Sequence, residues 1–318
     1  MLGVKALYTF EKVIYNHKNS HHNIKRLEKL SMSKKNKSNE LVSDFSKNNT
    51  VVQANSLLQQ TNNRLELTSL KGLKLFISCI DAQADTMSCV VYLKKSEIMS
   101  FFKGGNSYGA NIKSDSQNSL MHNAEFFKYQ MARIKEQNVI ITEKGSTRIL
   151  SIVREIYWDD DSPMVKVEFE ERIMPYLYGL KKNFLSYNIL EIQGVKSKYT
   201  LILYENLLAA SRANHGSKII TIPLEQLRTM VGTTVVDKYN PDKVVMEKYP
   251  EFKAFNRSVL KVAVNEINSG MFSFFIEKYE KVKEGRKVTG IVFYLRVRTS
   301  YKDTIDFISR PELLKNKI

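Results

Sequence analysis

The chain has 318 residues, 43% hydrophobic and 26% charged, long enough for two ordinary domains. Its 49 Lys and Arg against 33 Asp and Glu leave a formal net charge of +16, a positive field whose usual partners are nucleic acid or an anionic membrane surface. The absence of any run of eighteen apolar residues argues against a transmembrane helix, and two cysteines argue against a disulfide framework or a four-cysteine zinc site.

Residues 1–50 are polar and basic, above all "SMSKKNKSNELVSDFSKNNT", and read as a disordered, mobile arm. Within it "ALYTFEKVIY" has the spacing of a short amphipathic helix, and Met32 is a candidate alternative start. The N-terminus lacks the continuous apolar core and the small-residue cleavage site of a secretory signal. With Cys79 and Cys89 read as reduced core thiols, the expected location is cytoplasmic.

From Val51 onward a globular pattern occurs twice. In the first half, "LTSLKGLKLFISCI" (Leu67 to Ile80) has helical periodicity, "CVVYL" is β-like and "KSEIMSFF" reads as a short helix. A loop, "GGNSYGANIKSDS", leads to "QNSLMHNAEFFKYQMARIK", where Leu120, Ala124, Phe127, Met131 and Ile134 mark one helical stripe. Three β-like runs follow, "NVIIT", "RILSIVREIYW" and "MVKVEF", with turns at Gly145 and "DDDSP".

The second half repeats the order. "KYTLILYENLLAASR" (Lys198 to Arg212) is helical, "KIITI" is β-like and "PLEQLRTMVG" is a short helix. Next comes "YPEFKAFNRSVLKVAVNEINSG", whose Phe252, Phe255, Val259, Val262, Ala263 and Ile267 form an apolar face, with Pro250 in the first turn and Gly270 just past the end. "FSFFIEKYEKV" and "KVTGIVFYLRVR" make a hairpin around "KEGRK". Helix, strand, helix, helix and β-hairpin is the order of a winged helix-turn-helix. The expected architecture is α+β: the arm at 1–50, winged-helix domains at 51–185 and 186–300, and a tail at 301–318.

In a helix-turn-helix the second helix of the pair enters the major groove. In the second domain that helix carries Lys253, Arg257 and Lys261 every four residues, with Asn256 and Ser258 beside them. Arg suits guanine, Asn suits adenine and Lys neutralises phosphate. The hairpin adds Lys281, Lys283, Arg286 and Lys287 where a wing would meet the backbone, and Lys198 opens the domain's first helix. The first domain's candidates are Asn118, His122, Lys128 and Arg133 on the equivalent helix, Lys113 ahead of it, and Lys144 and Arg148 on the following hairpin. Met121, Phe126 and Tyr129 give that helix a wider apolar surface, suited to deeper burial or a protein contact.

"GVKSKYTLILYENLL", "FNRSVLKVAVNEIN" and "KEGRKVTGIVFYL" resemble the second domain of the iteron-plasmid replication initiators, and "VVQANSLLQQTNNRLELTSLKGLKLFISCI" resembles the start of their first. The resemblance covers roughly Val51 to Arg298; its strongest pieces are the Lys-Ser-Lys-Tyr run and the Asn-Glu-Ile-Asn helix end. It implies a tandem winged-helix protein that binds direct repeats in double-stranded DNA at a plasmid origin. It further implies opening of the adjacent AT-rich duplex, recruitment of host helicase, primase or initiator, and a dimer that represses its own promoter at an inverted repeat. Members often carry an arginine shortly before a Tyr-Glu pair, where this chain has Ile202 ahead of Tyr204 and Glu205. Glu266 is expected to hold structure and not to read bases.

Catalytic readings find little support. "GGNSYGAN" lacks the Gly-Lys-Ser/Thr ending of a phosphate-binding loop. His21 and His22 have no intervening hydrophobe, as a metal-assisted nicking site would require, and with sixteen tyrosines a downstream Tyr carries no information. Asp159, Asp160 and Asp161 lack the glycine and later glutamate of a calcium loop and suit a solvated turn. No enzyme activity, cofactor, metal or membrane partner is expected. A winged-helix transcriptional regulator without initiator activity is the alternative, and a protein-interaction scaffold the third reading.

Overall fold

The computed structural model describes residues 49–61, 65–82, 86–104, 117–143, 146–213, 216–236 and 244–298. The expected C-terminal tail, Met32, the histidine pair, the Gly145 turn and the arm up to residue 48 lie outside them. Among the described residues, no helix is long and apolar enough to cross a membrane.

Strand β1 (Thr50–Ala54) and helix α1 (Asn55–Thr61) lead into α2 (Leu67–Ser78), β2 (Val90–Lys94), α3 (Lys95–Gly104) and α4 (Gln117–Lys135). Strands β3 (Asn138–Glu143), β4 (Ser146–Ser151), β5 (Val153–Trp158) and β6 (Met164–Phe169) follow. The single run expected at "RILSIVREIYW" is therefore two strands. Ile152 breaks it: its side chain is buried and its N–H donates to Gln137 O at 3.3 Å. Among the described residues, strands β3 and β4 pair with each other alone, while β2, β6 and β5 form an antiparallel sheet in that order. In β6 every second side chain is buried, the two-residue alternation of a sheet with one covered face.

Strand β7 (Phe184–Asn188) returns to pair with β1 before α5 (Lys198–Ala213), β8 (Ile219–Pro223) and α6 (Leu224–Met230). A hairpin of β9 (Thr234–Val236) and β10 (Val244–Glu247) precedes α7, which spans 252–269. Helix α7 is α-helical over Phe252–Phe255, a π turn over Asn256–Leu260 and α-helical again over Lys261–Ser269. Strands β11 (Phe274–Glu284) and β12 (Lys287–Val297) then form a sheet in the order β8-β12-β11. That order matches β2-β6-β5, so the chain folds as two winged helices in tandem. The wing of the first is β5–β6, and β3–β4 is an additional hairpin ahead of it.

One continuous cluster of buried residues runs through both modules. Where their first helices meet, the Lys74 ammonium lies 2.9 Å from the Glu205 carboxylate, both side chains fully buried. Gln53 and Tyr187 complete the site: Lys74 donates to Gln53 Oε1 at 2.9 Å and the Tyr187 hydroxyl donates to Glu205 Oε1 at 2.7 Å. Lys74 and Glu205 are each the eighth residue of their helix. The duplicated position thus meets itself, with opposite charges in the two copies. Lys71, also fully buried, donates to Gln193 O at 2.5 Å and Val195 O at 3.3 Å, fastening the connecting segment to α2.

Two details of the expectations for α7 change, and Gly270 stands just past the helix end as expected. Pro250 precedes the N-cap Glu251, so the helix starts at Phe252. Val262 is 41% exposed, because the wider π turn rotates the residues beyond it and leaves Ala263, Val264 and Ile267 facing the core. Gly270 is extended (φ −88°, ψ −176°) and is required for space: a Cβ there would lie 2.7 Å from the Phe272 ring and 2.9 Å from Glu266 O.

Candidate nucleic-acid interface

Helix α7 buries Phe255, Val259, Leu260, Ala263, Val264 and Ile267 and turns Lys253, Arg257 and Lys261 to solvent. No ion pair or hydrogen bond joins these three cations to any described residue. In a plain α-helix, residues four apart drift by about 40° around the axis. The π turn takes one more residue per turn and counters that drift, which keeps the cations close to one line. The row is about 12 Å long at about 1.5 Å per residue, comparable with the width of the B-DNA major groove.

Beside the row, Ser258 is half-buried and Asn256 accepts a hydrogen bond from the Tyr279 hydroxyl of β11 at 2.7 Å. The β11–β12 hairpin closes through Gly285, whose φ of 59° is the left-handed conformation glycine adopts without strain. Lys281, Lys283, Arg286 and Lys287 are all exposed around that tip. The Lys281 ammonium also stands 5.1 Å from the centroid of Phe252, tying the wing to the start of α7. Lys198 is half-buried at the head of α5; burial, and then the nearby Lys248, lower its pKa.

The first module presents its charges differently. On α4, Lys128 bonds Glu125 at 3.1 Å and Asp160 of the wing tip at 3.0 Å. Arg133 lies 3.7 Å from Glu136. Trp158 Nε1 donates to Asp160 at 2.9 Å and the Lys95 ammonium donates to Asp159 O at 2.5 Å while stacking over the Trp158 ring. The acidic triplet is thus the first module's wing tip, with Asp159 accepting from the Asp161 N–H at 3.1 Å. Arg148 is exposed on β4, outside the three-stranded sheet, with Ile149 63% exposed beside it. Lys113 and Lys144 lie outside the described residues, as do the side chains of Asn118 and His122.

Residues 50–208 match the family described as "Initiator Replication protein, WH1", and residues 223–295 the one described as "Initiator Rep protein, WH2". The chain belongs to the initiator replication protein family. It is 29% identical to the PI protein of Escherichia coli over 169 residues, 51% of this chain and 54% of that relative. It is 28% identical to a replication initiation protein of Escherichia coli over 138 residues, 43% of this chain and 38% of that relative. The chain therefore spans about half the length, or less, of these curated relatives. A Pi initiator protein crystallised with iteron DNA has the same fold, with a TM-score of 0.61 over 80% of this chain and 99% of that one at 18% identity.

In this initiator replication protein the two most recognisable sequence pieces touch each other. Glu266 of the Asn-Glu-Ile-Asn run accepts from the N–H groups of Lys196 at 2.5 Å and Ser197 at 3.2 Å, where the Lys-Ser-Lys-Tyr run begins α5. Helix N-termini leave such N–H groups without intrahelical partners, so the carboxylate serves there as a cap. Asn268 pairs both ends of its amide with the backbone of Ile276, at 2.7 and 2.8 Å. Glu266 therefore holds structure, as expected.

Arg228 is the residue that sequence reasoning missed. Its side chain is buried on α6, donates to Tyr249 O at 2.7 Å and Pro250 O at 2.8 Å, and stacks 4.7 Å from the Phe255 ring. Tyr249 has a φ of 57°, an uncommon conformation for a bulky residue. One guanidinium thus holds the strained turn that sets the angle of α7 against α6. Its signal was present: Leu224, Leu227, Arg228 and Val231 occupy one helical stripe, so Arg228 stands where an apolar residue is expected.

Proposed function

We propose that this protein initiates plasmid replication by binding repeated sites in double-stranded DNA at the origin, with α7 of the second module in the major groove. The wing formed by β11 and β12 lies against the flanking phosphates. The observation that carries the reading is the row of Lys253, Arg257 and Lys261, exposed and without a carboxylate partner among the described residues. Exposed cations aligned over a groove's width neutralise phosphates and release counterions, and an Arg among them can take guanine O6 and N7 together. The fold shared with a Pi initiator protein crystallised with iteron DNA supports the same placement.

The same reading extends to origin opening, to recruitment of host helicase, primase or initiator, and to repression of its own promoter by a dimer at an inverted repeat, all in the cytoplasm. It assigns no catalytic role to any residue. Its domain limits are 51–185 and 186–300, and its first module makes a secondary DNA contact through Lys128, Arg133 and Arg148. The test is footprinting of the purified chain on the DNA flanking its own gene, with binding measured from low to high salt. Protection of spaced repeats with a steep salt dependence is expected, and replacing a phosphate-contacting lysine should lower the slope by about one. Equal affinity for those repeats and a random duplex would overturn the proposal. Melting of origin DNA, or capture of a replicative helicase or primase, separates an initiator from a simple repressor.

A further inference from the structure

Asn256 adjoins Arg257 at the start of the π turn, half-buried between α7 and the wing. Its Oδ1 accepts from the Tyr279 hydroxyl at 2.7 Å. Tyr279 is held in turn: it is half-buried on β11, with its ring 6.2 Å from that of the fully buried Phe293 on β12. The hydroxyl therefore comes from a fixed strand, and it fixes the plane of the amide.

An asparagine that reads adenine uses both ends of its amide, the carbonyl accepting from N6 and the amine donating to N7. Here the carbonyl accepts from the wing, while the amine, with its two N–H donors, has no partner among the described residues. Guanine presents two acceptors side by side, N7 and O6, to such a donor. Adenine would set its own N6 amine against it. We propose that Tyr279 is a specificity-determining residue: by holding the Asn256 carbonyl it makes this position select guanine over adenine. The inference rests on α7 being the DNA-reading helix.

The test uses the full chain as wild type, Tyr279→Phe and Asn256→Ala, each selecting from a pool of randomised duplexes. Removing one hydroxyl from a half-buried ring should leave the thermal midpoint unchanged. The wild type should select a guanine pair whose preference Asn256→Ala erases. Tyr279→Phe should shift that one pair toward adenine, lowering the guanine-to-adenine ratio by about tenfold with the other pairs unchanged. An unchanged profile in Tyr279→Phe overturns the inference, as does a shift at a pair that Asn256→Ala does not affect. So does an Asn256→Ala profile identical to the wild type. If the wild type selects no consensus, α7 is not a reader, and the wider proposal fails together with this one.

Discussion

The two winged helices share one strand order and differ in where their charges point. In the second, α7 shows three cations without a partner among the described residues, and the wing tip carries Lys281, Lys283, Arg286 and Lys287. In the first, the wing tip is Asp159–Asp160–Asp161, and it draws Lys128 of α4 onto itself. A winged helix can present a helix to a groove, and the sign and freedom of its surface charge govern how strongly it can be drawn to phosphates. The inside shows the same divergence, since the eighth residue of the first helix is Lys74 in one copy and Glu205 in the other.

The largest expected effect tests that asymmetry directly. Changing Lys253, Arg257 and Lys261 together to Ala should weaken repeat binding by about 3–9 kcal/mol, at about 1–3 kcal/mol per good contact. The matching triple change of Lys128, Arg133 and Arg148 should cost less than about tenfold, because two of those cations already have carboxylate partners. Titrations of both variants on one selected duplex would show it. Equal losses would erase the distinction between the modules.

Next comes the position where the copies meet. Lys74→Met removes the partner of a carboxylate that is itself fully buried, leaving Tyr187 and Gln53 to solvate it. Breaking a buried pair from one side costs about 3–5 kcal/mol. Urea unfolding should show that loss as a lower midpoint of a single transition, since one core runs through both modules. Two separate transitions would mean that the modules are stable independently of this contact.

A smaller effect comes from the fifth position of the same helices, Lys71 in one copy and Ile202 in the other. Burial lowers the Lys71 pKa to about 8, with the charge of Glu266 opposing the shift. Because the folded pKa lies below the unfolded one, the unfolded chain binds more protons between about pH 8 and pH 10.5. Stability should therefore rise with pH across that window, by at most about 3 kcal/mol. Subtracting the profile of Lys71→Met isolates the contribution. A difference profile flat between pH 7.5 and 10.5 would show that the buried lysine keeps its ordinary pKa.

The duplicated order of elements was legible because each helix and strand carries its own period. The Gln117–Lys135 helix came out with its full extent, and the cationic row came out exposed. Three things were not legible, for three physical reasons. The π turn has no signature in apolar spacing, so Val262 was placed on the wrong face. The β1–β7 pairing joins segments more than a hundred residues apart, and neither segment alone indicates its partner. The buried charges Lys71, Lys74, Glu205 and Arg228 all sit on apolar stripes, as in Leu67, Leu70, Lys71 and Lys74. That pattern marks them as buried, but only the fold shows which charge each one meets. Around the candidate site, the lysines and arginines were visible as composition, whereas the Asn256–Tyr279 bond depends on how the wing folds back.

The smallest expected effect asks how far the acidic wing weakens the first module's secondary DNA contact. Hydrogen bonds from Lys128 and Trp158 hold the Asp160 carboxyl below the usual carboxylate range, so the pair stays charged at neutral pH. Asp160→Asn combined with Glu125→Gln keeps the shape and the Trp158 bond but removes both charges that hold Lys128. If α4 faces the duplex, the released ammonium can reach a phosphate, and the salt slope for a random duplex should steepen by about one. The melting temperature should hardly move, because an exposed ion pair contributes little to stability. An unchanged slope would mean that Lys128 points away from DNA in either form. Base reading would then belong to the second module alone, and the acidic wing would be a consequence of that division of labour.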